Sequence, residues 1–247
     1  MGYREVRRES KKAVLIDQYM MFKYGSPGQK RNKRRKPTPE EVKKNNQYNK
    51  KRKILWKLQT YFEEDDYFVT LTYKRDQRPE DMEGAKKDFK RFLDKVRKEF
   101  KKAGVELRWM RNIEIGTKKA CHIHLIIKRL DGLDKLIRKN WKHGGVNFQL
   151  MYEDGSFRRL ADYIAKSPIN DKSLSETDFQ CSRNMPLPEP KVKEIKGWSI
   201  TRKIRVPEGW QLDGESVREG VNPVTGYPYR SYMLVRERRK HDSKDQN

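Results

Sequence analysis

The chain is short of several things, and each shortage removes a class of explanation. It has 2 cysteines in 247 residues, Cys121 and Cys181. That is too few for a disulfide framework or a cysteine-rich zinc site, and it suits a reducing compartment. No apolar run reaches the length of a membrane-crossing helix, and the N-terminal residues show no apolar signal-type region. A cytoplasmic protein with no membrane partner is therefore expected. There is no Walker-type glycine-rich loop, so no ATP-driven motor is expected in these residues. No internal repeat is visible. Hydrophobic residues make up only 34% of the chain, which limits the core and leaves much of the sequence to solvent or a partner.

What the chain has in excess is positive charge. There are 59 lysines and arginines against 35 acidic residues, a formal net charge of +24, and the sequence pI is about 9.9. Such a surplus points to a polyanion, nucleic acid first. A membrane surface fits less well, because the basic runs lack an apolar helical face. The densest run, "KRNKRRK", begins a basic segment over residues 30–53. Arg31, Arg34, Arg35, Lys51 and Arg52 within it are candidate nucleic-acid contacts, and so is the tail after Lys191. Contacts to phosphate would weaken steeply with salt.

Helix and strand signals alternate through the middle of the chain. Thr38, Pro39 and Glu41 mark a helix start with a capping box. Ile54, Leu55, Leu58 and Phe62 give its later half an apolar side. "YFVTLTY" alternates as a strand, with Val69, Leu71 and Tyr73 on one side and Thr70 and Thr72 on the other. Met82, Ala85, Phe89, Phe92, Leu93, Val96 and Phe100 stripe an amphipathic helix that Gly104 stops. "VELRWMRNIEI" and "CHIHLIIK" are strands joined by the hairpin signal "GTKKA". "DGLDKLIRKNW" and "RRLADYIAKS" are short helices on either side of a strand at "GVNFQLMY".

This order predicts an α+β fold: a central antiparallel sheet of about five strands flanked by helices. Outside it, a short helix is expected at "KKAVLIDQYMMFKY" and a flexible arm at "GSPGQKRNKRRKP". "CSRNMPLPEPKVKEIKG" reads as extended, "WSITRKIRVP" and "YRSYMLVRE" as strands, and "RKHDSKDQN" as disordered.

The chain has 4 histidines, and two of them, His122 and His124, flank one isoleucine in "CHIHLII". Residues i and i+2 of a strand share a face, roughly 6.6 Å apart at the Cα atoms. Both imidazoles therefore stand on the polar face, while Ile123, Leu125 and Ile127 face a core. On the preceding strand Ile113 and Ile115 demand the core side, which puts Asn112 and Glu114 with the histidines. Pairing Ile113 with Ile123 sets Glu114 directly opposite His122, and a slip of one residue would bury the carboxylate. A lone His-x-His is more often structural; two imidazoles and a carboxylate on one face shift the balance to a divalent-ion site. Mg²⁺, Mn²⁺ or, in vitro, Zn²⁺ suits that set. Tyr163 and Lys166 in "RRLADYIAKSP" are spaced to share a helical face. A phenol titrates near 10, so as a nucleophile it needs a cation and a polarised electrophile.

Taken in order, "FVTLTY", "HIHLII" and "YIAK" resemble the three motifs of the HUH endonucleases, named for histidine–hydrophobic–histidine. Within them the chain is similar to rolling-circle replication initiators, the Rep proteins of plasmids and single-stranded DNA phages or viruses. The resemblance covers roughly residues 67–168. It implies a five-stranded antiparallel sheet with flanking helices. Glu114, 8 residues before His122, matches the acidic ligand position. The implied reaction is cleavage of single-stranded DNA at a nick site, with Mg²⁺ or Mn²⁺ on His122, His124 and Glu114. Tyr163 would attack phosphorus and stay joined to the 5′ end, and the freed 3′ hydroxyl would prime synthesis. Lys166 would position Tyr163 or offset charge in the transition state. Thr72, Lys74 and Arg75, at the end of the first motif, join the candidate DNA contacts.

The implied partners are single-stranded DNA, hairpin or duplex origin DNA, and a host helicase and polymerase. A second copy of the chain is a further candidate, because one motif tyrosine is visible rather than two; Tyr152 is poorly placed to be the other. The expected division is 1–62 as basic arm and helix, 63–170 as HUH nicking domain, and 171–247 as a C-terminal extension. Two alternatives stand beside this reading. One is a single-tyrosine HUH transposase or a relaxase, although relaxases place the tyrosine before the histidines. The other is a non-catalytic basic DNA-binding protein, in which Trp109, Trp141 and Tyr163 stack on bases.

Overall fold

The computed structural model describes residues 3–20, 36–151, 157–196, 200, 202–222 and 227–237. Two five-stranded antiparallel sheets and four helices make it an α+β fold among the described residues. The chain divides into two compact units, one formed by Met1–Asn45 with Pro188–Asn247, the other by Asn46–Leu187. These units cut the chain differently from the three segments read in sequence. The first of them joins both ends of the chain.

The elements of the Asn46–Leu187 unit follow from the alternation seen in sequence. The strands β3 (Tyr67–Thr72), β4 (Trp109–Gly116), β5 (Cys121–Ile127), β6 (Val146–Leu150) and β7 (Leu174–Cys181) form a sheet of order β6-β3-β5-β4-β7. The long helix α1 (Pro39–Tyr61) begins with the capping box expected for it. Glu41 N–H donates to Thr38 Oγ1, and Thr38 N–H donates to Glu41 Oε2. Its later half, α2 (Met82–Lys102), α3 (Leu133–Asn140) and α4 (Arg158–Ile164) accompany the sheet.

One face of the sheet carries the core. Val69, Leu71, Ile113, Ile123, Leu125 and Ile127 pack with Phe89, Phe92, Val96 and Phe100 of α2 and with Leu133 and Ile137 of α3. Each large side chain fully buried there contributes roughly 1.5–3 kcal/mol. Asp81 caps α2 by accepting from Gly84 N–H, and Gly104 (φ +65°) follows its end. On the same face Arg111, 3% exposed, donates to Asp178 of β7 and stacks on the ring of Phe89. The opposite face is polar toward one end of β5, and α1 and α4 lie over it. Lys50 sits 5.4 Å from the ring centre of Phe179, and Phe68 meets the ring of Tyr163 edge-on.

In the other unit, β1 (Tyr3–Glu9), β2 (Ala13–Met20), β8 (Lys191–Ile195), β9 (Trp210–Val221) and β10 (Pro228–Arg236) form a sheet of order β8-β1-β2-β10-β9. The helix expected at residues 11–24 is instead strand β2 over Ala13–Met20. Its run Ala13–Ile16 is buried on both sides and pairs with β1 and with β10, the pattern of a central strand. The N-terminal part is thus a pair of strands and not only an arm and helix. Of the strand expected at 198–207, the described residues 202–207 join no ladder; Ile204 packs as a single anchor against Val14, Ile16, Tyr232 and Leu234. The segment read as extended, 181–197, holds β8, whereas β7 lies ahead of it at Leu174–Cys181, where no strand is expected from sequence; the strand expected at "YRSYMLVRE" overlaps β10. The basic arm from 25 to 35 and the tail from 239 onward lie outside the described residues.

Candidate active site

The hairpin β4–β5 sets the geometry. Ile113 pairs with Ile123, Glu114 with His122 and Asn112 with His124, the register that the isoleucine alternation demands. The turn is tight. Gly116 N–H donates to Ala120 O, Lys119 N–H donates to Gly116 O, and Lys119 takes φ +57°. On the other flank of β5, Thr70 of β3 lies opposite His124 and Thr72 opposite His122. Six polar side chains therefore share one patch on three adjacent strands.

Within the patch, His124 is the hub. It is 3% exposed, its Nδ1 lies 3.2 Å from Thr70 Oγ1, and its Nε2 lies 3.3 Å from Glu114 Oε2. A hydrogen-bond partner on one ring nitrogen fixes the ring and leaves the other for chemistry. Phe68 stacks nearly parallel to the same ring, at 9°. Glu114 is held from behind by Asn112, whose Nδ2 donates to Glu114 Oε1 at 3.0 Å. Asn112 is fully buried and faces the site, yet among sequence signals only its place in the alternation marks it.

Tyr163 comes from α4. Phe157 and Ile164, 1% and 0% exposed, anchor the two ends of this short helix. Gln47 of α1 donates to Ala165 O, and Lys51 pairs with Asp162 at 2.9 Å. The result is a Tyr163 hydroxyl 3.3 Å from His124 Nε2, with the two rings edge-on at 4.9 Å. Burial and the negative charges of Glu114 and Asp171 push the phenol above its ordinary range. Desolvation and the neighbouring His124 hold His122 below its ordinary value, in the neutral form that can ligate a metal. A cleft of about 680 Å³ opens beside these groups, lined by His122, His124 and Tyr163 together with Asn147, Gln149 and Arg159.

The structure thus brings His124, Glu114 and Tyr163 together and sets His122 at their edge, its ring 6.4 Å from that of His124. Two imidazoles and a carboxylate lie on one face, donors of a kind that can ligate a divalent ion. As the side chains stand, no three His, Cys, Asp or Glu groups among the described residues form a metal-holding cluster. His122 is the outlying member, exposed at the cleft.

The remaining candidates scatter. Lys166 follows α4 instead of sharing its face, since the helix ends at Ile164 and is capped by Ala165. Its Nζ lies 4.5 Å from the centre of the Tyr163 ring and 3.5 Å from Asp171, so it covers the ring and does not meet the hydroxyl. Thr72 Oγ1 accepts from Gly145 N–H at 3.0 Å, and Lys74 and Arg75 are exposed just beyond it. Lys51 uses its charge on Asp162, Arg52 is half-buried on α1, and Arg31, Arg34 and Arg35 lie outside the described residues, as does Tyr152. No helix among the described residues is long and apolar enough to cross a membrane.

Residues 66–168 match the family model of the replication-associated protein ORF2/G2P. That span holds every proposed ligand and Tyr163, and the match supports a replication initiator of the Rep type with DNA as its partner. Neither a curated protein nor a solved structure matches the chain.

Proposed function

We propose that this protein nicks and rejoins single-stranded DNA at a replication origin through a covalent tyrosine intermediate, and so primes rolling-circle replication. The observation that carries the reading is the Tyr163 hydroxyl lying 3.3 Å from His124 Nε2, on a polar patch that also holds Glu114 and His122. A phenol, two imidazoles and a carboxylate on the polar face of a sheet have no packing purpose in common. They do have a common use in moving a phosphoryl group.

In the proposed reaction the Tyr163 oxygen attacks the scissile phosphorus and gives up its proton. A new P–O bond to tyrosine forms as the bond to the 3′ oxygen breaks. The leaving oxygen takes up a proton and becomes a free 3′ hydroxyl, while the 5′ phosphate stays on Tyr163. Attack by a 3′ hydroxyl on that phosphotyrosine reverses the step and joins a strand. No redox change or co-substrate is needed.

His122, His124 and Glu114 would hold a divalent ion such as Mg²⁺ or Mn²⁺. Bound there, the ion would neutralise the Glu114 charge and polarise a phosphate oxygen. The chain's own residues do the rest. Phe68 and Thr70 fix the His124 ring, Asn112 fixes Glu114, and Lys166 lays its positive charge over the tyrosine ring. The cleft beside Tyr163 gives a single strand room to enter.

The test is incubation of the full chain with single-stranded oligonucleotides from the flanking genetic element, with Mn²⁺ and without. The reading expects metal-dependent cleavage and a protein–DNA adduct that survives denaturing electrophoresis. Tyr163→Phe should keep oligonucleotide binding and lose the adduct. Binding with no cleavage under any metal would favour a non-catalytic DNA-binding protein.

A further inference from the structure

The edge strand β6 carries a polar pair that the proposed chemistry does not use. Asn147 lies opposite Thr70, which lies opposite His124, so these three side chains form one row across β6, β3 and β5. Gln149, two positions along β6, shares that face, while Val146 and Phe148 pack toward the core. With strands roughly 4.8 Å apart, Asn147 stands about 10 Å from His124 across the row. Both amides are exposed and line the cleft of about 680 Å³ beside Tyr163. Neither has a hydrogen-bond partner among the described residues.

The cleft says what meets these amides. First, its bed is apolar: Phe68, Leu150, Met151, Phe157 and Leu160 line it together with the Tyr163 ring. A flat body with apolar faces and polar edges fits such a bed, and that describes a nucleobase. Single strands are recognised in this way, with bases splayed onto aromatic and apolar side chains and read along their edges. Second, Arg159 is the only lysine or arginine among the described lining residues. A groove that tracked the sugar–phosphate backbone would be positively charged along its length. Third, the rim groups are amides. Each holds a donor beside an acceptor, the pattern that meets the N6 amino group and N7 of adenine together. Guanine presents two acceptors on the same edge and calls for arginine or lysine instead.

We infer that Asn147 and Gln149 form a base-reading subsite that takes an unstacked adenine next to the scissile phosphate, and so help to set where the strand is cut. This rests on the proposed function for the strand that enters, and adds the base that is read and the side chains that read it. Because both amides stand on the exposed face of an edge strand, changing them leaves the core intact.

The experiment uses the full chain in EDTA with fluorescein-labelled single strands of TTA, TTC or TTG repeats, and follows anisotropy. The parent protein should bind the TTA strand about tenfold more tightly than the other two, the discrimination that a good paired contact to a base supplies. Asn147→Ala with Gln149→Ala should erase that preference and leave the melting temperature unchanged. Asn147→Asp with Gln149→Glu keeps the shape and removes the donors. It should favour the TTC strand over the TTA strand, since a carboxylate accepts from the N4 amino group of cytosine. Equal affinities in the parent protein, a parent preference for TTC or TTG, or a TTA preference that survives the alanine changes would overturn the inference. Adduct formation with Mn²⁺ is scored separately. An adenine preference carried by these amides with no adduct sinks the nicking reading and leaves this one standing; an adduct with no base preference does the reverse.

Discussion

Asn112 Nδ2 donates to Glu114 Oε1 at 3.0 Å, two positions along the same strand and wholly out of solvent. Its neighbour across the ladder is His124. One amide thus fixes the carboxylate of the proposed metal site, from a place no substrate reaches. Asn112→Ala should raise the Mn²⁺ concentration needed for half-maximal nicking by about 10- to 100-fold, the usual cost of losing a group that orients a metal ligand. Cleavage should recover at saturating Mn²⁺, which simple misfolding would not allow.

Removing the ion should act through the same residues. A chelator is expected to abolish nicking and leave oligonucleotide binding largely in place. His122→Ala and Glu114→Ala should resemble the chelated protein even in excess Mn²⁺. His122 is the more informative of the two, because it stands exposed at the edge of the cleft and its loss disturbs no core. Full activity of His122→Ala would remove it from the ligand set.

Gly144 touches the end of β3 more closely than any side chain would permit. A Cβ built there would lie 2.2 Å from Thr72 O and 2.9 Å from Lys74 N, both backbone atoms that cannot swing aside. Gly144→Ala should therefore destabilise the protein by about 1–3 kcal/mol, as overpacking does. Because the displaced strand end carries Thr72, opposite His122, the variant should also nick more slowly. Thermal melting and cleavage rate measured side by side check both effects.

The Arg111–Asp178 pair ties β4 to β7 and should make stability depend on acid. Burial works against the charge on Asp178, but its bonds and attraction to Arg111, with help from Lys86, outweigh that and hold the carboxyl below its ordinary value. A carboxyl lowered on folding stabilises at pH above its unfolded value, about 3.9, and loses that contribution as pH falls through the folded value. Asp178→Asn should cost about 1–3 kcal/mol at neutral pH, since it leaves the buried Arg111 guanidinium poorly met. The gap between variant and parent should close below about pH 4 in denaturant titrations.

Much of the site could be read from local pattern, and the reasons are specific. Ile113 and Ile115 against Ile123, Leu125 and Ile127 admit one register, and that register alone sets Glu114 opposite His122. The stripe of α2 and the Thr38–Glu41 box are likewise signals contained in a few consecutive residues. What escaped depends on distant partners. Ala13–Ile16 is a short apolar run that suits a helix or a buried strand equally; β10, more than 200 residues on, decides for a strand. The Tyr-x-x-Lys spacing takes the helix to persist through Lys166, whereas α4 stops at Ile164, ahead of Pro168.

The central claim is that one phenol carries the cut strand. The most direct measurement is mass spectrometry of peptides from the protein–DNA adduct, after nuclease trimming of the DNA. The account predicts a nucleotide 5′-phosphate on the peptide containing Tyr163 and on no other. A nucleotide on a different tyrosine, or on a serine or histidine, would contradict it.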